Sequence, residues 1–335
     1  MNLSQDKYSQ FFLAKEMLET AKVVRNLDIK NIQEFAKQVK SKVLLTGEGS
    51  SRIFPAKNTV VNANKYGYAQ QIHTEGATQA LEYDLADRTV FVASNSGKTK
   101  EGVRLIRALR EKKHSNIIGV VSQAGTPIVT ESDLGYVLTC QKEEAVAATK
   151  SVLEQALFND IVFRTLNGVA LPDLNKLGDL IEQVLTTVVP ENVIKPLIET
   201  PIMYWAGRNN GVAEELRLKT NEITRKKSDY LEGTYAAHGI EEVMNANEAI
   251  ILVDPWADEE SKYAEVLAGG VGISLVSIAS RQTAFPTFQI PSYDGFDSYL
   301  QLCAGWSLLV EVGIANGINL DKPIRARKVG NEFVG

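Results

Sequence analysis

Six consecutive residues, Ser94-Asn95-Ser96-Gly97-Lys98-Thr99, put three hydroxyls, an amide, an ammonium and a glycine into one short stretch. They close the β-rich run TVFVAS at 89–94 and open onto the helix-like EGVRLIRALREKK. Strand, loop and helix start in that order can hold an anion. Glycine lets the backbone come close, hydroxyls and amides donate hydrogen bonds, and the helix N-terminus favours negative charge without a metal. The same residue types also make an ordinary Ser/Thr-capped helix start, and the loop alone leaves both readings open. A second loop, Gly47-Glu48-Gly49-Ser50-Ser51-Arg52, again follows a β-rich run and precedes a helix-like stretch. It lacks the third glycine and the acidic ribose partner of a dinucleotide site, which disfavours NAD, and a plain strand-to-helix turn is the other reading. In the second half Glu215, Lys219 and Glu222 stand four and three residues apart in VAEELRLKTNEI, on one face of a helix. By itself such a face is a solvated, salt-bridged one, and His238 in YAAHG by itself is a structural or surface histidine.

The elements that must position these residues follow from the apolar pattern. Phe11, Phe12, Leu13, Met17, Leu18 and Ala21 have helical spacing, so residues 1–39 are expected to form an N-terminal helical segment over the first domain or a partner. Short β-rich runs then alternate with helix-like stretches: KVLLTG at 42–47, TVFVAS at 89–94, NIIGVV at 116–121 and GYVL at 135–138. That rhythm predicts a parallel sheet with crossover helices. It restarts after Pro190 with IMYWAG at 202–207, AIILVD at 249–254, GISLVSIAS at 272–280 and TFQIP at 287–291. Two α/β domains are therefore expected, 40–190 and 191–335, joined through a helical region from about 145 to 187 that NGVALP interrupts.

The chain has 335 residues and a formal charge of -5 with no long acidic or basic block, which argues against nucleic acid and against a polybasic membrane patch. The opening MNLSQDKYSQFFLAKEM carries acids and amides where a signal core would be apolar, and no later run looks long enough to span a membrane. Cys140 and Cys303 sit alone in apolar settings as buried reduced thiols would, and a cytoplasmic location is expected. His73, His114 and His238 are scattered, so neither a required metal nor another cofactor is expected.

Taken together, in order and spacing, these elements resemble the sugar-isomerase (SIS) domain family and the isomerase half of glucosamine-6-phosphate synthase, over roughly residues 40 to 330. The resemblance implies two tandem SIS domains, each a parallel sheet flanked by helices in a flavodoxin-like three-layer α/β fold. It implies that Ser94, Ser96 and Thr99 hold a sugar phosphate with Asn95 and Lys98 in the same loop. Gly49, Ser50 and Ser51 would border the sugar with Arg52 beside them. Val146-Ala147-Ala148-Thr149-Lys150 is similar to the family's V-A-S-T-K element, so Val146 and Ala148 join the substrate-binding set. The family's L-E-x-x-x-K-x-x-E-I-S helix is matched by Glu215, Lys219 and Glu222. Glu222 takes the place of the base that moves a proton between C1 and C2, and Glu215 and Lys219 orient it. Sixteen residues on, His238 takes the place of the ring-opening histidine, often donated by a neighbouring subunit, and Lys328 in a C-terminal active-site tail that of the lysine reaching the open-chain sugar.

The implied function is a metal-independent aldose-ketose isomerase of an anionic sugar 6-phosphate, working through a cis-enediol in a homodimer with a shared site. Departures from the family pattern bear on the substrate. The synthase's glutaminase part is absent, so no release of ammonia from glutamine is expected. Ala148 replaces the usual serine, Lys98 stands where an acid is common, and Glu48 and Arg52 add unusual charges. A 6-sulfo sugar (sulfoquinovose to sulfofructose) is thus one alternative, with Lys98 or Arg52 helping the sulfonate. An amino-sugar-phosphate deaminase or deglycase is another. A non-catalytic sugar-phosphate sensor is a third, against which stand the retained Glu222, His238 and Lys328 and the lack of a preceding helix-turn-helix.

Overall fold

The computed structural model describes residues 1–325 and 332–333. Among them the strands form two five-stranded sheets, and every pairing within these sheets is parallel. The first sheet contains β1 (Lys42–Gly47), β2 (Gln71–Gly76), β3 (Arg88–Ser94), β4 (Ile117–Val121) and β5 (Leu134–Val137) in the order β2-β1-β3-β4-β5. The second contains β6 (Ile202–Gly207), β7 (Lys227–Glu232), β8 (Ala249–Val253), β9 (Ser274–Ala279) and β10 (Thr287–Gln289) in the order β10-β9-β8-β6-β7. This is the tandem α/β arrangement that the alternating runs imply.

Central strands are apolar on both faces because helices cover both. Val43 and Leu45 of β1 join Phe91, Ile118 and Val120 in a cluster with Phe35, Ala56, Phe158 and Ile161. Leu44, between them in sequence, points the other way with Val90, Val92 and Val121, onto Val103, Ile106 and Leu109 of the helix Lys100–Glu111. Fully burying one such side chain is worth about 1.5–3 kcal/mol, so this two-sided packing holds the strand ends in place.

Packing divides the chain into two units. The first comprises Lys22–Glu143, Ala148–Asn175 and Arg325–Gly335 and carries the first sheet; the second comprises Met1–Ala21, Glu144–Ala147 and Lys176–Ile324 and carries the second sheet. These limits differ from those drawn on the sequence. The start of the chain belongs with the second sheet, where Asp321 accepts hydrogen bonds from the backbone N–H groups of Phe12 and Leu13 at 2.9 and 2.8 Å. The helix Leu174–Thr186 also packs there rather than with residues 40–173, its Leu177, Ile181 and Leu185 being buried.

One sequence expectation needs correction. The helix Asp297–Ala315 is long and apolar enough to cross a membrane by length and composition, although no run was expected to be. Its apolar window is 78% buried within the protein, so the length serves the core of the second unit. There it packs on the helix Val212–Thr224, and a Cβ at Gly305 would lie 2.3 Å from Leu216 Cδ2, so glycine allows the two helices to close. Cys140 and Cys303 are both buried free thiols, and burial pushes both thiol pKa values up.

Candidate active site

In the first unit, the order β2-β1-β3 means that the chain leaves β1 to one side and returns on the other. A parallel sheet opens a ligand crevice beyond its strands' carboxyl ends at such a reversal. Gly47 of β1 lies in register with Ala93 of β3, so the loops 47–52 and 94–99 emerge side by side at that crevice. Both loops singled out in the sequence are thus brought together.

The hydroxyls of the 94–99 loop gather around one turn. Ser94 Oγ lies 2.7 Å from Thr99 Oγ1 and accepts from the Gly97 N–H at 3.0 Å, while Ser96 Oγ accepts from the Lys98 N–H at 3.2 Å. Gly97 has φ +69°, and a Cβ there would lie 2.0 Å from Thr126 Oγ1. Thr99 sits at the N-cap of the helix Lys100–Glu111 but makes no side-chain cap bond, which distinguishes the loop from an ordinary capped start. The Asn95 amide turns inward: Nδ2 donates to Glu143 Oε2 at 2.7 Å and Ser151 Oγ at 3.0 Å, and Oδ1 accepts from Ser122 Oγ at 2.7 Å. In the neighbouring loop Gly49–Ser51 makes a 3-10 turn, closed by the Arg52 N–H donating to the Gly49 carbonyl at 3.0 Å, with Ser50, Ser51 and Arg52 half-buried. Lys98 is half-buried, and its carbonyl accepts from the Phe333 N–H at 2.7 Å. Lys328 lies outside the described residues.

The V-A-A-T-K element divides at the packing boundary: Val146 belongs to the second unit and Ala148 to the first, both half-buried. The first-unit part is organised by Glu143, a fully buried carboxylate that the sequence reading passed over. Nothing in the string QKEEAV separates it from Glu144, which is exposed; only the fold does.

In the second unit, Glu215, Lys219 and Glu222 share one face of the helix Val212–Thr224, as their spacing requires. That face is not a solvated one. Glu215 and Lys219 are fully buried, and Lys219 Nζ lies 3.2 Å from Glu215 Oε1 and 2.8 Å from Glu222 Oε2, with the Glu222 side chain 25% exposed. Burial is the largest influence on Lys219 and would lower its pKa, but Glu222 and Glu215 together outweigh it and hold the ammonium above its ordinary range. His238 sits on the surface after a 3-10 turn, with Nε2 3.2 Å from Lys262 Nζ. At the reversal of the second sheet, between β6 and β8, Arg208 pairs with Asp254 at 2.7 Å and lies 4.5 Å from the centre of the Trp256 ring. The sequence reading had not marked these three residues.

A doubly wound parallel sheet with a hydroxyl-rich turn at its switch point places this unit among the doubly wound α/β domains. Residues 38–164 match the family model of the SIS domain, the family that the motifs of the chain resemble. No curated protein matches the sequence. Its fold is similar to those of many solved structures, of which three are representative. Tagatose-6-phosphate ketose/aldose isomerase from Escherichia coli has a TM-score of 0.79 at 15% identity over 96% of this chain and 98% of that one. Glucosamine-6-phosphate deaminase from Thermotoga maritima gives 0.76 at 20%, over 96% and 99%. The C-terminal domain of glucosamine-fructose-6-phosphate aminotransferase from Francisella tularensis gives 0.75 at 16%, over 93% and 98%.

Proposed function

We propose that this protein is an aldose-ketose isomerase acting on a sugar with an anionic group at C6, a sugar 6-phosphate in the first instance. The observation that carries the reading is the Glu215–Lys219–Glu222 network. Two of its three members are sealed from solvent, and Glu222 alone stays accessible, as a base that must meet a substrate has to be. The hydroxyl turn at 94–99 supports it, and so does the fold shared with the Escherichia coli tagatose-6-phosphate isomerase.

In this mechanism the turn formed by Ser94, Ser96 and Thr99 holds the C6 anion, away from the reacting carbons, and so fixes the sugar before chemistry begins. His238 opens the ring. Glu222 takes the proton from C2 and returns it to C1 through a cis-enediol, while Lys219 holds the carboxylate in one orientation. Lys328 steadies the oxyanion that develops at the carbonyl. Ser50, Ser51 and Val146 border the sugar, and the Asn95 amide serves by shaping the turn. His238 shares its segment with exposed Tyr235 and Val243, an apolar surface that suits a second copy, so we place the chain in a homodimer whose histidine serves a shared site.

The test is turnover on glucose 6-phosphate, glucosamine 6-phosphate and 6-deoxy-6-sulfoglucose, by the native protein and by Glu222→Gln. The expected result is ketose from the phosphate sugar, with kcat reduced about 10²–10⁴-fold in the variant and binding retained. Ammonia from the amino sugar would make the protein a deaminase, and binding without conversion by either form would make it a sensor.

A further inference from the structure

Glu143 is completely buried at the end of the segment that follows β5, yet both its oxygens are occupied. Oε1 accepts from the Thr149 N–H at 2.7 Å and from Thr149 Oγ1 at 3.1 Å. Oε2 accepts from Asn95 Nδ2 at 2.7 Å and from the Ser151 hydroxyl. One carboxylate therefore bridges the turn after β3 and the start of the helix Lys150–Asn167, two stretches more than fifty residues apart in sequence. Asn95 completes the frame from the other side, since its Oδ1 and its backbone carbonyl both accept from Ser122 Oγ, at 2.7 and 2.5 Å. The turn that carries Ser94, Ser96 and Thr99 is thus tied through the Asn95 side chain to Glu143, Ser151 and Ser122.

We infer that Glu143 is a positioning residue for the anion site: it acts through Asn95 to set where the hydroxyls and N–H groups of the 94–99 turn point, and never touches the ligand itself. The chemistry requires an acid at this place. Thr149 N–H and Asn95 Nδ2 can only donate, one to each oxygen, so both positions on residue 143 must accept. An amide puts an NH2 against one of these donors and leaves a buried group unsatisfied. A negative charge near an anion site opposes binding, so its presence makes sense only as a geometric device that four hydrogen bonds already neutralise locally.

The inference rests on the anion-site reading above, and inorganic phosphate and sulfate serve as probes that need no knowledge of the sugar. Binding of each to the native chain, to Glu143→Gln and to Asn95→Ala is measured by calorimetry, with KM and kcat on the best sugar of the panel. Both variants should bind the probe at least tenfold more weakly and raise KM by a similar factor with kcat nearly kept. The double variant should be no worse than the worse single one, because the two residues act as one unit. If Glu143→Gln does not fold, Ser151→Ala, which removes a single arm of the bridge, should still weaken the probe severalfold. Native-like probe affinity and KM in a folded Glu143→Gln, or full additivity in the double variant, overturns the role of Glu143 alone. A native protein that binds neither phosphate nor sulfate overturns the anion site, and the role of Glu143 with it.

Discussion

Lys219 is the residue on which the second-unit constellation turns. An ammonium at zero exposure is tolerated because a carboxylate stands on either side of it, at i−4 and i+3 along one helix. Replacing it by methionine keeps the volume but removes the ammonium that stands beside the buried carboxylate of Glu215. We expect Lys219→Met to lose about 3–5 kcal/mol of stability, read as a shifted midpoint in urea unfolding. Adding Glu215→Gln to that variant should return part of the stability and none of the activity, because Glu222 would still lack the group that orients it. Equal stability of the single variant and the native chain would show that the network is worth little to the fold.

At the scale of elements, the 94–99 turn depends on a backbone shape that only glycine takes cheaply at position 97. The positive φ and the approach to Thr126 act together, so Gly97→Ala faces both strain and a clash, each about 1–3 kcal/mol. The turn carries little of the core, so the expected outcome is a folded protein with a lowered thermal midpoint and at least tenfold weaker phosphate binding by calorimetry. Unchanged binding would mean that the turn's shape does not set the site. Two strands show the opposite situation, in which an element exists without an apolar signature. β2 and β7 have sequences QIHTEG and KSDYLE, sit at the edges of their sheets and are half-exposed. The sequence reading did not pick them out because an edge strand with one open side needs no continuous apolar run. Each nevertheless creates its sheet's reversal by lying on the far side of the first strand.

For the whole molecule, His114 offers a pH lever. Its ring is buried with Nε2 unpartnered, and burial holds its pKa below the ordinary 6.5, only partly opposed by a hydrogen bond that the ring donates to the backbone of Asn116. The unfolded chain therefore takes up the proton first. Stability is fully present above that ordinary value and falls as the pH drops through and below it. Thermal midpoints measured from pH 7.5 to 5 should fall more steeply for the native protein than for His114→Gln; parallel profiles would show that the ring is solvated in solution.

What the sequence determined by itself was everything governed by local spacing and by the need to bury apolar runs. The central strands, the helix after Thr99, the shared face of Glu215, Lys219 and Glu222, and the order of the motifs are all one-dimensional facts. The tertiary structure alone decided which of these faces met solvent. A helix face with two acids and a lysine reads as a surface until the fold removes Glu215 and Lys219 from solvent. Glu143 and Glu144 are chemically identical neighbours until one is sealed against Asn95 and Thr149 and the other is placed at the exposed surface. Hydrogen-bond partners separated by fifty residues have no signature in local composition, because the energy that selects them is the cost of burying an unsatisfied charge, and that cost exists only once the chain has folded.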